Sequence, residues 1–226
     1  MKSYGQLCAV ARALDIVGDR WTMLVIRELL IQGPLRFGEL QGGLPGVATN
    51  LLTQRLRELE EHGVLVRESV RRSSGSTMYR LTERGEALEG VIRELLKWGA
   101  PTVSEAPAES IFQMHWLSQP ARYLLKDHRP QEPASTIRFG NFDDGFDLTA
   151  SDGNIEVRPC SRDAQLRAVV SGPRQVLVGL LQGAIDLAAA IACGVEVQGE
   201  SAALIRVLPQ TGTPSSADQD NSLPSR

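Results

Sequence analysis

Along residues 44–63 the apolar and polar positions separate into two stripes. Leu52, Leu56 and Leu59 recur at i, i+4 and i+7, which sets them on one side of a helix. Asn50, Gln54 and Arg57 fall on the opposite side, with Thr53 on its flank. Helical spacing also predicts helices over 8–17, 20–31 and 36–42, with Asp19 as a cap for the second. Gly18, Gly33–Pro34 and the Gly/Pro-rich run 42–46 break them. The two-faced helix is expected over 49–62, ended by Gly63. Strands follow at 64–66 and 78–81, around a polar, basic loop holding Arg71 and Arg72, so this pair reads as a hairpin. A helix over 82–98 comes next. Its apolar residues Leu88, Val91, Ile92, Leu95, Leu96 and Trp98 are too many for one small domain to cover.

The pattern changes after residue 98. Residues 99–110 are rich in Pro, Ala and Ser and read as a linker. A helix is expected over 111–126, interrupted by Pro120. Strands are then expected at 135–142, 146–150, 155–159 and 166–171 as a four-strand meander. Helices at 173–181 and 184–192, a strand at 194–199 and a helix at 200–208 complete an α+β domain over 111–208. From 209 to 226 apolar periodicity is absent, and disorder is expected.

Net charge over the 226 residues is −3, an unpromising value for a nucleic-acid partner. Its distribution alters that picture. Residues 1–100 carry 14 Lys and Arg against 12 Asp and Glu, whereas the rest carries 10 against 15. Screening over roughly 10 Å makes the remote acidic half matter little to a local basic patch. The polar face of helix 49–62 consists mostly of amides, hydroxyls and arginine, side chains that can reach base edges or phosphates in a major groove. Asn50, Thr53, Gln54 and Arg57 are the candidate base-reading and phosphate-binding residues, joined by Thr49, Arg36 at a helix start, and Arg71 and Arg72 at the hairpin tip. The bland alternative for each is a solvated surface side chain.

The order helix–helix–helix–turn–helix, basic hairpin, long helix is that of a winged helix-turn-helix. The segments at 8–14 (CAVARAL), 18–22 (GDRWT), 27–29 (REL), 36–40 (RFGEL), 51–59 (LLTQRLREL) and 79–82 (YRLT) resemble the HxlR-type transcriptional regulators across about residues 5–100. The resemblance implies a homodimer bound to a roughly palindromic double-stranded operator, with 49–62 as recognition helix, 67–80 as wing, and residues 1–98 serving DNA binding and dimerisation. Repression is the expected sign of regulation. It also draws attention to Cys8, at a position where family members commonly carry a cysteine and some sense oxidants. A helix start favours the thiolate, but this chain has Ala9 where the family more often has Pro, and an inert role is the alternative.

The segments 168–180, 186–190 and 195–200 resemble sterol-carrier-like domains more weakly. A small apolar effector is the implied ligand, with Phe112, Trp116, Leu180 and Ile185 as candidate pocket residues. A competing reading makes the protein a lipid or sterol carrier whose helical part serves protein contact. No enzyme activity, cofactor or metal is predicted: His62, His115 and His128 are scattered, and no phosphate-cradling glycine motif or nucleophile elbow occurs. Three cysteines, the absence of a long apolar run and an unremarkable N-terminus lead to a cytoplasmic expectation, without membrane contact.

Overall fold

The computed structural model describes residues 3–69, 77–107 and 109–210. The predicted wing-tip residues Arg71 and Arg72, and nearly all of the tail, lie outside the described residues.

The first half packs helices over a small sheet. Helix α1 (Ala9–Val17) and α2 (Thr22–Gln32) are separated by a turn in which Asp19 accepts from the Trp21 N–H rather than capping α2 itself. Gly33 ends α2 at φ +76°, a conformation that favours glycine, and Pro34 follows. A two-residue strand β1 (Leu35–Arg36), absent from the sequence reading, precedes α3 (Phe37–Gly43). Then come α4 (Thr49–Glu61), β2 (Leu65–Ser69) and β3 (Thr77–Leu81), and the antiparallel sheet has the order β1-β3-β2. Val25, Ile26, Leu29, Leu40, Leu52, Leu56, Leu59, Leu65 and Leu81 form one core.

The helix expected over 82–98 is broken. It consists of α5 (Glu83–Glu86) and α6 (Glu89–Gly99), joined through Ala87 and Leu88. The start is pinned from below: Thr82 Oγ1 donates to the Gly63 and Val64 carbonyls and accepts from Gly85 N. Gly85 sits so close to the Val64 carbonyl that a Cβ there would stand 2.1 Å from its oxygen. Residues Ala100–Glu105 form a 3-10 helix, so the expected linker is in part regular structure.

The helix expected over 111–126 is also shorter. A 3-10 turn (Met114–Leu117) leads into α7 (Ser118–Leu124), and Pro120 stands in the first turn of α7, where a missing N–H costs little. Next come β4 (Ser135–Phe139), β5 (Phe146–Ser151), β6 (Asn154–Pro159), β7 (Leu166–Ser171), α8 (Arg174–Gln182), α9 (Leu187–Ala192), β8 (Glu196–Gly199) and α10 (Ser201–Ile205). The sheet order is β6-β5-β4-β7-β8, and β7 runs parallel to β4. Only β4–β6 form a meander; the fourth strand crosses back to the far side of β4. Phe139 and Phe146 stack at 5.1 Å in a core completed by Ile137, Leu148, Leu177 and Leu204.

The two halves meet along α2 and α6. Glu28, fully buried on α2, accepts from Trp116 Nε1 (2.8 Å), Gln32 Nε2 (2.9 Å) and Arg27 Nε (3.0 Å), and lies 2.8 Å from His115 Nε2. The Arg27 guanidinium covers the Trp116 ring at 4.6 Å. On α6, Glu89 accepts from Tyr123 Oη and pairs with Arg122.

Candidate nucleic-acid interface

Helix α4 is amphipathic because its leucines alternate with polar groups at helical pitch. Leu52, Leu56 and Leu59 are buried, while Thr49, Asn50, Gln54 and Arg57 are exposed and Thr53 is half-buried. Asn50, Gln54 and Arg57 therefore share a face that the core does not use. Thr49 Oγ1 accepts from Gln41 Nε2 (2.8 Å), tying the start of α4 to α3. Thr53 Oγ1 donates to the Thr49 carbonyl, so its hydroxyl is engaged with its own helix. Gln54 Nε2 donates to Glu58 Oε1 (3.0 Å), and the Asn50 amide oxygen accepts from Leu51 N. Among the described residues Arg57 has no ion-pair partner, which leaves its charge available.

Arg55 stands apart from this face. It is buried and paired with Asp19 (3.3 Å) and with Glu58. Glu39, on α3, accepts from the backbone N–H of Arg36. The Arg36 side chain is exposed at the start of α3, and Arg20 is exposed near Trp21. In the hairpin, Arg67 is exposed, and Arg80 is bound to Glu68, which holds its guanidinium pKa up.

Cys8 is exposed at the N-cap of α1. The backbone N–H groups of Ala11 and then Val10, in the first turn, hold its thiol below the ordinary range. Cys160 is half-buried, and burial followed by the Asp147 charge pushes its thiol up.

Three of the four candidate pocket residues belong to the core of the second half or its edge. Leu180 is in the core of the second half, Phe112 and Ile185 pack against it, and Trp116 turns toward α2 and Glu28. A groove of about 800 Å³ runs between α1 and the end of α4, lined by Arg12, Asp15, Ile16, Glu58, His62 and Arg84 among others. Glu28 and His115 were missed as a pair. The available signal was a carboxylate on the buried stripe of α2, between Val25 and Leu29.

Residues 16–107 match the model of the HxlR-like helix-turn-helix family. An uncharacterised HTH-type transcriptional regulator from Synechocystis is 34% identical over 105 residues, covering 46% of this chain and 77% of that protein. The HTH-type transcriptional regulator YodB of Bacillus subtilis is 35% identical over 86 residues, covering 38% of this chain and 76% of YodB. The solved reduced form of YodB aligns at 30% identity with a TM-score of 0.39, over 45% of this chain and 100% of that one. The family match ends at residue 107, before α7 and the five-stranded sheet.

Proposed function

The chain belongs to the HxlR-like helix-turn-helix family, and from that premise we propose that it is a sequence-specific double-stranded DNA-binding transcriptional regulator acting as a homodimer, with repression as its sign. The observation that carries the reading is the divided surface of α4. Three leucines anchor it, and Asn50, Gln54 and Arg57 are left toward solvent. Amides can read adenine edges and arginine can bind phosphate or guanine. Thr49, Thr53, Arg36 and the wing arginines Arg71 and Arg72 complete the proposed contact set.

Dimerisation is supported by unpartnered apolar side chains on α1 and α6: Val10, Leu14, Val91, Leu95 and Trp98 are exposed. Two-fold symmetry would set the recognition helices about 34 Å apart. A sterol-carrier-like identity for the second half, with a small apolar effector, is supported by its order of elements and by the small residues of α9. A shift in melting temperature across a panel of apolar ligands tests it; a flat response removes it.

The DNA reading is tested by selecting bound fragments from random duplexes at fixed salt, then titrating the winner by anisotropy. Arg57→Ala should weaken binding by about tenfold and make the salt dependence shallower by about one unit per lost phosphate contact. Failure to enrich any sequence, with Arg57→Ala binding as wild type, would overturn it.

A further inference from the structure

His115 stands between two carboxylates drawn from different halves of the chain. Its Nε2 is 2.8 Å from Glu28 Oε2 on α2, and its Nδ1 is 3.1 Å from Asp144 Oδ1 in the turn between β4 and β5. A neutral imidazole has one N–H and would aim a lone pair at one of these oxygens; only the imidazolium donates to both. Glu28 cannot easily swing away. Its carboxylate is held by Trp116, Gln32 and Arg27, and it is walled in by Gly43, where an added Cβ would lie 2.5 Å from Oε2. The other charged groups around this bridge are Arg27 of α2, which pairs with Glu28, and Asp143 beside Asp144 and Arg158 from β6, which line the same small cleft as His115.

We propose that His115 is a proton-operated latch: as imidazolium it bridges Glu28 and Asp144 and keeps the second half docked on α2, and loss of its proton releases that docking. Burial works against the charged ring, but Glu28 and then Asp144 outweigh it and hold its pKa above the ordinary imidazole value. Burial likewise pushes the Glu28 carboxyl up, and His115 and Arg27 more than reverse this. Since the docked state raises the His115 pKa, the latch contributes fully below the free imidazole value and is lost as pH rises through the docked one. Each unit of elevation corresponds to about tenfold in the docking equilibrium.

The test follows two proton resonances of the full chain from about pH 5.5 to about pH 9.5, a range bracketing the ordinary imidazole value. The His115 ring reports its own titration. The Trp116 indole N–H, bonded to Glu28, reports docking by its protection from solvent exchange. His115 should titrate above the ordinary value, and Trp116 protection should fall with the same midpoint. In Asp144→Asn, which alters a half-exposed side chain, both midpoints should move down together by about one pH unit. In His115→Gln the pH dependence of Trp116 protection should vanish. Titration of His115 at or below the ordinary value would overturn the latch. So would Trp116 protection that stays constant while His115 loses its proton, or an unchanged pH dependence in His115→Gln.

Discussion

Arg55 Nη2 stands 3.3 Å from Asp19 Oδ2, an ion pair that joins α4 to the turn between α1 and α2. The same guanidinium holds Glu58 on its own helix. Arg55 thus shares α4 with Arg57, two residues on, while facing the interior. Two arginines in one short segment, RLR, are separated in role by the 200° that two residues turn along a helix.

That separation can be read by two measurements on two variants. Arg55→Met leaves Asp19 and Glu58 partly buried without their cation and should destabilise the first half by about 2 kcal/mol. Its effect on DNA binding should follow the loss of folded protein. Arg57→Ala should leave the denaturation midpoint unchanged within about 0.5 kcal/mol and lower DNA affinity. Chemical denaturation and anisotropy titration on the same preparations check both, and a reversed pattern would exchange the assignments.

The parts of this fold written in local periodicity were legible. The α4 pattern fixes its own buried face, and the positions of β5, β6 and β7 follow from alternation and turn residues within a few places of the observed ends. What was not legible depends on distant partners. The strand Leu35–Arg36 exists only because Tyr79 and Met78 lie opposite it. The parallel pairing of β7 with β4 is set by a crossover, not by either strand's own pattern. The seat of α5 depends on Thr82 and Gly85 lying against the backbone of Gly63 and Val64, which no local pattern announces. Glu28 meets His115 across 87 residues of chain, and a lone histidine gives no hint of such a partner.

Cys8 and Cys160 should differ sharply toward an electrophile. Cys8 is exposed with its thiol pKa lowered by the first-turn N–H groups, so its thiolate fraction at neutral pH exceeds that of an ordinary cysteine. Cys160 is partly covered and its thiol pKa is raised. Iodoacetamide at pH 7, followed by peptide mass spectrometry, should label Cys8 about tenfold faster than Cys160. If the thiol also senses oxidants, diamide should change DNA affinity in wild type and not in Cys8→Ser; an equal response in both would leave Cys8 reactive but outside regulation.

The second half has its own electrostatic keystone. Arg206, almost fully buried, places Nε 2.7 Å and Nη2 2.8 Å from the two oxygens of Asp127, and Nη1 donates to the Pro133 carbonyl. Asp127 also accepts from the backbone N–H groups of Arg129 and Gly153. The Arg206 guanidinium, aided by those N–H groups, holds the Asp127 carboxyl well below the usual carboxylate range despite burial. A depressed folded-state pKa stabilises above the unfolded carboxylate value, and the contribution is lost as pH falls below about 4. Wild-type stability should therefore decline in acid more steeply than that of Asp127→Asn, which has no such proton to take up. At pH 7 Arg206→Met, which strands a buried carboxylate, should cost about 3–5 kcal/mol. Urea denaturation at pH 7 and at about pH 3, monitored by a probe in the second half, checks both. Parallel acid slopes for wild type and Asp127→Asn would mean that the pair titrates alike folded and unfolded, and the bidentate contact would then carry no pH-dependent stability.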